Sequence, residues 1–206
     1  TTMTKEFWNQ RYAEQEYAYG TEPNAWLKQS LIQLEPGSML VPADGEGRNG
    51  VFAAQQGWQV TAFDISEEGR KKALLLAKNR GVSIQYDLVD MEAVDYPDAA
   101  FDALVLIFAH FPAAKRKEWH ARLSRMIKPG GYLIIEAFHP NHQQYQQTNP
   151  AAGGPKDPTM LYTTTMVADD FPDWHFEVLR EEEVSLEEGP YHAGKAAVVR
   201  ILARKK

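Results

Sequence analysis

Three glycines spaced as Gly45-x-Gly47-x-x-Gly50, followed by the carboxylates Asp64 and Asp90, are the residues of this sequence best suited to hold a nucleotide-like ligand. A glycine turn lets a ligand reach the backbone and tolerates positive φ, and the helix start behind it offers unpaired N–H groups. In a dinucleotide enzyme those groups would meet a pyrophosphate, and Asp64, nineteen residues beyond Gly45, would accept hydrogen bonds from a ribose. Asp90 can take the exocyclic amine of an adenine, and Met91 beside it can wall the ring. Ribose at Asp64, adenine at Asp90 and no diphosphate to neutralise suggest S-adenosylmethionine (SAM); the glycines alone fit either ligand.

Other side chains have two readings each. His110 falls at a strand end, where function gathers in layered α/β folds, and either acts there or bonds to backbone. His192, next to Tyr191, occupies a hairpin that faces a substrate mouth or only stabilises its own turn. Trp8, Tyr12 and Tyr19 are core aromatics or part of a ligand's cover. His139 and His142 have a metal-like spacing, but Pro140 and Asn141 intervene and no third ligand is near, so no metal is expected.

The elements that must position these residues alternate between strand and helix, the mark of a parallel sheet covered by helices. Strands are expected at about Met39 to Ala43, Trp58 to Phe63, Ser83 to Tyr86, Ala103 to Phe108 and Tyr132 to Phe138. Helices are expected at Arg48 to Gln56, from a Ser66 cap to Asn79, and at Ala113 to Ile127, with "KPGG" breaking the chain before the fifth strand. From His139 to Pro158 the composition turns to Gln, Asn, Pro and Gly, which predicts a surface loop or lid. Phe176 to Leu186 and Lys195 to Ala203 read as strands joined by a hairpin, so the sheet should finish antiparallel.

With 206 residues and no boundary or repeat, one domain spanning 1–206 is expected. The apolar run from Ala103 to Ala109 is too short to span a bilayer, so no membrane segment is expected. A net charge of -6 argues against a sequence-independent grip on nucleic acid. The absence of cysteine removes thiolate chemistry and disulfides, and the N-terminus shows no basic and apolar leader; a cytoplasmic location is expected.

Six stretches occur in a specific order: "FWNQRYAEQEYAYGTEPNAWL", "GEGRNG", "VTAFDIS", "VDMEAVDYPDAAFD", "IKPGGYLIIEAF" and "EGPYHAGKAAVVRILARK". Together they resemble the class I SAM-dependent methyltransferases, and within them small bacterial enzymes of the tellurite-resistance and thiopurine methyltransferase-like type. The resemblance implies an α/β, Rossmann-like three-layer sandwich whose seven-stranded, mostly parallel sheet has a reversed last strand. It also implies that Gly45, Gly47, Arg48 and Asn49 pass beneath the methionyl part of SAM. Asp64 then holds the ribose, Ile65 packs on the adenine, and Asp90 and Met91 sit at its edge. Ile107, Phe108, Ala109 and Phe111 line the cofactor and face its methyl group. Trp8, Tyr12, Tyr19 and Gly20, within a closing segment over 1–35, cover it. The family's usual acid and glycine are replaced here by Val41 and Ala43. Asp44 and Glu46 put negative charge inside the turn instead, where it would attract an ammonium or sulfonium and repel a pyrophosphate.

The expected activity is methyl transfer from SAM to a small acceptor, leaving S-adenosylhomocysteine (SAH). Approach geometry and a dry pocket suffice for an acceptor that is already deprotonated. Where a proton must leave, His110, Tyr19 and His192 are the candidates. The acceptor should sit among the N-terminal segment, the "IFAHF" strand end and the loop over 139–163, in a pocket with Phe111, Phe138, Tyr145 and Tyr162. A monomer or weak homodimer is expected. The alternatives are an NAD-dependent oxidoreductase and a non-catalytic SAM-binding sensor.

Overall fold

A computed structural model describes residues 4–206 and contains one seven-stranded sheet ordered β3-β2-β1-β4-β5-β7-β6. The strands are β1 Ser38–Pro42, β2 Gln59–Asp64, β3 Gln85–Leu88, β4 Phe101–Ile107, β5 Ile127–Phe138, β6 Trp174–Glu187 and β7 Ala193–Lys205. The first five pair in parallel, and β7 inserts antiparallel between β5 and β6, so the last strand is reversed as expected.

The central strand β4 reads as a continuous apolar run because both of its faces are covered. Leu104 and Leu106 point into one core with Phe63, Leu123, Leu133 and Trp119. The alternate residues Ala103 and Val105 point into the other, with Val41, Val60, Ile134 and Trp26. Helices α1 Lys5–Tyr12, α2 Ala25–Leu31, α3 Arg48–Gln55, α4 Glu67–Asn79, α5 Ala113–Arg125, α6 Gln143–Gln146 and α7 Thr164–Asp170 complete the fold. The expected cap of α4 is present: Ser66 accepts from the N–H of Gly69, and Glu67 and Glu68 occupy the first turn.

Three expectations need correction. Helix α5 stops at Arg125, and "KPGG" lies within β5 as an irregularity: Ile127 pairs with Phe101, and pairing resumes at Tyr132 with Ala103. The third strand lies two residues later than its pattern suggested. The polar stretch over 139–158 is not a plain surface loop, since His142 and Ala152 within it are buried. It folds as 3-10 turns at Pro140–His142, Pro150–Ala152 and Pro158–Met160, with α6 after the first. Each turn starts with a proline preceded by an acceptor (His139, Asn149, Asp157) that takes a backbone N–H two residues on. The residues that looked like solvated loop are turn caps.

Candidate cofactor and acceptor site

The carboxyl ends of β1, β2 and β4 open into a cavity of about 530 Å³. This is the position where open α/β sheets hold ligands. Its floor is the turn after β1. Gly45 has φ +55°, and a Cβ there would lie 2.5 Å from Tyr12 Oη; Gly47 has φ +87°, and its Cβ would lie 2.5 Å from that of Ala73. The glycine spacing therefore lets α1 and α4 close onto the turn. Ala43, where the resemblance implied glycine, adopts φ +53°, a left-handed conformation that costs an L-residue on the order of 1 kcal/mol.

The four acids of the sequence reading take different roles. Asp64 is buried, and its two oxygens accept the N–H groups of Gly45 (2.8 Å) and Ile65 (2.7 Å), so it braces the turn while lining the cavity. Burial pushes its carboxyl up, against those backbone bonds. Asp44 accepts from Gly50 N–H through Oδ2 (3.3 Å), while its Oδ1 is enclosed with no partner. Burial and then the nearby Asp64 hold its carboxyl well above the usual range. Asp90 is exposed at the rim and accepts from Glu92 N–H. Glu46 departs from its expected role: although it reaches the cavity wall, its oxygens are occupied by Ala18 N–H (2.8 Å) and Lys72 Nζ (2.7 Å). It fastens the N-terminal segment to the turn and leaves no oxygen for a ligand cation.

That segment forms one side of the cavity with Trp8, Tyr12, Tyr19 and Gly20, the first two stacked at 5.4 Å. Arg48 also lines the wall, but its guanidinium is paired with Glu188 at 2.5 Å. Asn49 holds Asn24 N–H, and Asn24 in turn donates to Glu136 and Glu188, tying the segment to β5 and to the β6–β7 hairpin. Of the residues expected at the cofactor, all line the cavity except Gly45 and Gly47, which shape its floor.

The opposite half is aromatic. Ile107, Phe108, Ala109, His110 and Phe111 line it together with Phe138, Met160 and His192. Phe108 leaves β4 at φ +50° and stacks on Phe138 at 4.4 Å. Tyr145 and Tyr162, expected here, are elsewhere: Tyr145 bonds Glu183 at the surface, and Tyr162 is buried with its hydroxyl donating to Ala109 O.

The three candidate bases separate by geometry. His110 accepts Phe138 N–H on Nε2 (3.1 Å) and therefore donates from Nδ1 to Met160 O (2.6 Å). Neither nitrogen is left for a substrate, and burial holds the ring neutral, with a pKa down to about 4. This structural position of His110 corrects its candidacy. Burial pushes the Tyr19 phenol up, and Tyr19 Oη accepts from Arg11. His192 is 6% exposed, packs against Tyr19, Phe108 and Phe138, and has an unpartnered Nδ1. Burial, followed by the Arg48 charge, holds it neutral. His139 pairs with Glu181, and His142 bonds Gly153 O and Ala197 N. No group of three acids or histidines suited to a metal occurs among the described residues. Sequence reading missed Arg11, Asp157 and Met160 on the wall; only Arg11 left a signal, as the lone cation among the aromatics of "FWNQRY".

Residues 41–131, which contain the turn, Asp64, Asp90 and the end of β4, match the family model described as a methyltransferase domain. This central stretch of the chain is thus similar to methyltransferase domains. Rat glycine N-methyltransferase is 27% identical over 164 residues, covering 72% of this chain and 54% of its own length. Demethylmenaquinone methyltransferase of Thermus thermophilus is 27% identical over 120 residues, 56% of this chain and 54% of the relative. The chain thus spans about half the length of these curated relatives. In fold, the chain superposes on TehB from Haemophilus influenzae with a TM-score of 0.72 at 18% identity, covering 98% of this chain and 67% of that one. NodS of Bradyrhizobium japonicum, solved with SAH, gives 0.72 at 12% identity over 99% of each chain. The Rossmann-like architecture with a reversed last strand expected from the sequence is therefore shared with these structures.

Proposed function

We propose that this protein transfers a methyl group from SAM to a small acceptor, leaving SAH. The observation that carries the choice of cofactor is the state of the glycine turn. Its N–H groups at Gly45 and Gly50 are already bonded to Asp64 and Asp44, and Asp44 retains an enclosed oxygen with no partner. A diphosphate would find those backbone donors taken and two buried acids in their place, whereas a cation beside Asp44 would favour the ionised form that burial disfavours. Asp64 lines the cavity with Met91 and Phe63, and we read it as the acid that meets the ribose.

When bound, the sulfonium supplies an already activated methyl group. The residues of this chain contribute orientation and dryness. Phe108 and Ala109, at the end of β4, line the cavity together with Tyr19, Gly154, Pro155, Asp157 and Met160. For an acceptor arriving protonated, His192 is the base: a neutral imidazole that lines the cavity. A small-molecule acceptor suits the cavity of about 530 Å³, and the net charge of -6 argues against a sequence-independent grip on nucleic acid.

The test is turnover. Protein incubated with SAM and a panel of small thiols, phenols and N-heteroaromatics should form SAH with at least one class. SAM binding with no SAH from any of them would favour a non-catalytic sensor.

A further inference from the structure

Two ion pairs lie buried in the molecule, and one side-chain amide joins them. Arg48, the first residue of α3 and part of the cavity wall, donates to Glu188 Oε1 at 2.5 Å, the two side chains being 8% and 10% exposed. Arg200 of β7 donates to Glu136 of β5, also at 2.5 Å. Asn24 donates to Glu136 (3.0 Å) and to Glu188 (3.1 Å), so Glu188 is held from two sides. Its own N–H donates to His192 O at 2.8 Å, at the tip of the β6–β7 hairpin. Glu188 is outside the cavity lining.

A sealed ion pair adds little stability over apolar side chains of the same volume. Its effect here is on the cavity. The Arg48 charge reaches both ends of it, favouring the ionised form of Asp44 and opposing protonation of His192. SAM carries one positive charge more than SAH. Without Glu188 that extra charge would share the cavity with an uncompensated guanidinium, at a depth where salt screens weakly.

We propose that Glu188 is a positioning residue that sets the preference of the cavity for SAM over SAH, by fixing the Arg48 guanidinium and cancelling its charge. The inference rests on the reading of the cavity as a SAM site. Its consequence for turnover is that the product competes less well with the cationic cofactor.

The test is the ratio of two Kd values, measured calorimetrically with SAM and with SAH. Wild type is compared with Glu188→Gln, Arg48→Met and the double variant. Failure of the wild type to bind either ligand would remove the SAM reading itself, before any variant is considered. Glu188→Gln keeps an acceptor for Asn24 and removes the charge, so it should weaken SAM about tenfold more than SAH. Arg48→Met, which removes the guanidinium and leaves the carboxylate, should move the ratio the other way, and it serves alone should Glu188→Gln not fold. The double variant should return the ratio to that of wild type. A purely structural role lowers both affinities together. A ratio unmoved in the single variants, or moved in the same direction by both, overturns the proposal.

Discussion

The carboxylate of Glu46 leaves the glycine turn to accept the backbone N–H of Ala18 at 2.8 Å, and Lys72 completes the pair from α4 at 2.7 Å. The acid in the turn is thus a fastening for the N-terminal segment. Glu46→Ala should leave the Ala18 amide N–H unpaired and the Lys72 ammonium without its counter-charge, held only by the carbonyls of Glu14 and Glu16, and cost about 2 kcal/mol of stability, with a smaller loss for Glu46→Gln, which keeps the Ala18 bond. Chemical denaturation of both variants checks the order; equal stability of Glu46→Ala and wild type would refute it.

Ala43 occupies a left-handed position suited to glycine. Ala43→Gly should relieve that conformation at the expense of a freer unfolded chain, for a net gain of about 0.5–1 kcal/mol. A melting temperature raised by about 1–4 °C is the expected reading.

Two neutral histidines hold the turns over 150–160 to the sheet. His110 accepts from Phe138 on β5 and donates to Met160 O, and His142 accepts from Ala197 on β7 and bonds Gly153 O. Protonation of either ring removes an acceptor. Burial lowers the folded-state pKa of His110 from 6.5 to about 4, so between these values the unfolded chain binds the extra proton. The contribution is full above pH 6.5 and is lost as pH falls towards 4. Buried acids with raised values, such as Asp44 and Glu136, oppose this trend, so the informative quantity is a difference. The gap in melting temperature between wild type and His110→Gln should narrow from pH 7.5 to pH 4.5; a constant gap would contradict the neutral, buried state of His110.

His192→Phe keeps the packing against Tyr19, Phe108 and Phe138 and removes the base. With a phenol or N–H acceptor, turnover should fall on the order of 10²- to 10⁴-fold at unchanged SAH affinity. With a thiolate acceptor the loss should be small. Equal losses for both classes would assign His192 a packing role alone.

Much of the scaffold was legible because its signals are local. The apolar run of β4, the Ser66 cap of α4 and the breaker-flanked hairpin each express a short-range rule, and so does the glycine turn. The residues expected at the cofactor meet at one cavity because they sit at the ends of those strands. What stayed hidden depends on distant partners. Nothing near Glu46 in the chain announces that Ala18 and Lys72 consume both its oxygens, and His110 is silenced by Phe138 and Met160, which follow it by 28 and 50 residues. The turns over 139–160 were misread for another reason: their Pro, Asn and Asp residues signal caps and solvated loops alike, and only burial of His142 and Ala152 tells them apart.

The central claim is that the turn after β1 and Asp64 hold a SAM-type cofactor and no dinucleotide. Calorimetric titration of wild type and Asp64→Asn with SAH and with NADH tests it most directly. Wild type should bind SAH and give no NADH heat, and Asp64→Asn, losing charge-assisted bonds to the ribose, should weaken SAH by about ten- to a hundredfold. Tight NADH binding without SAH binding would contradict it.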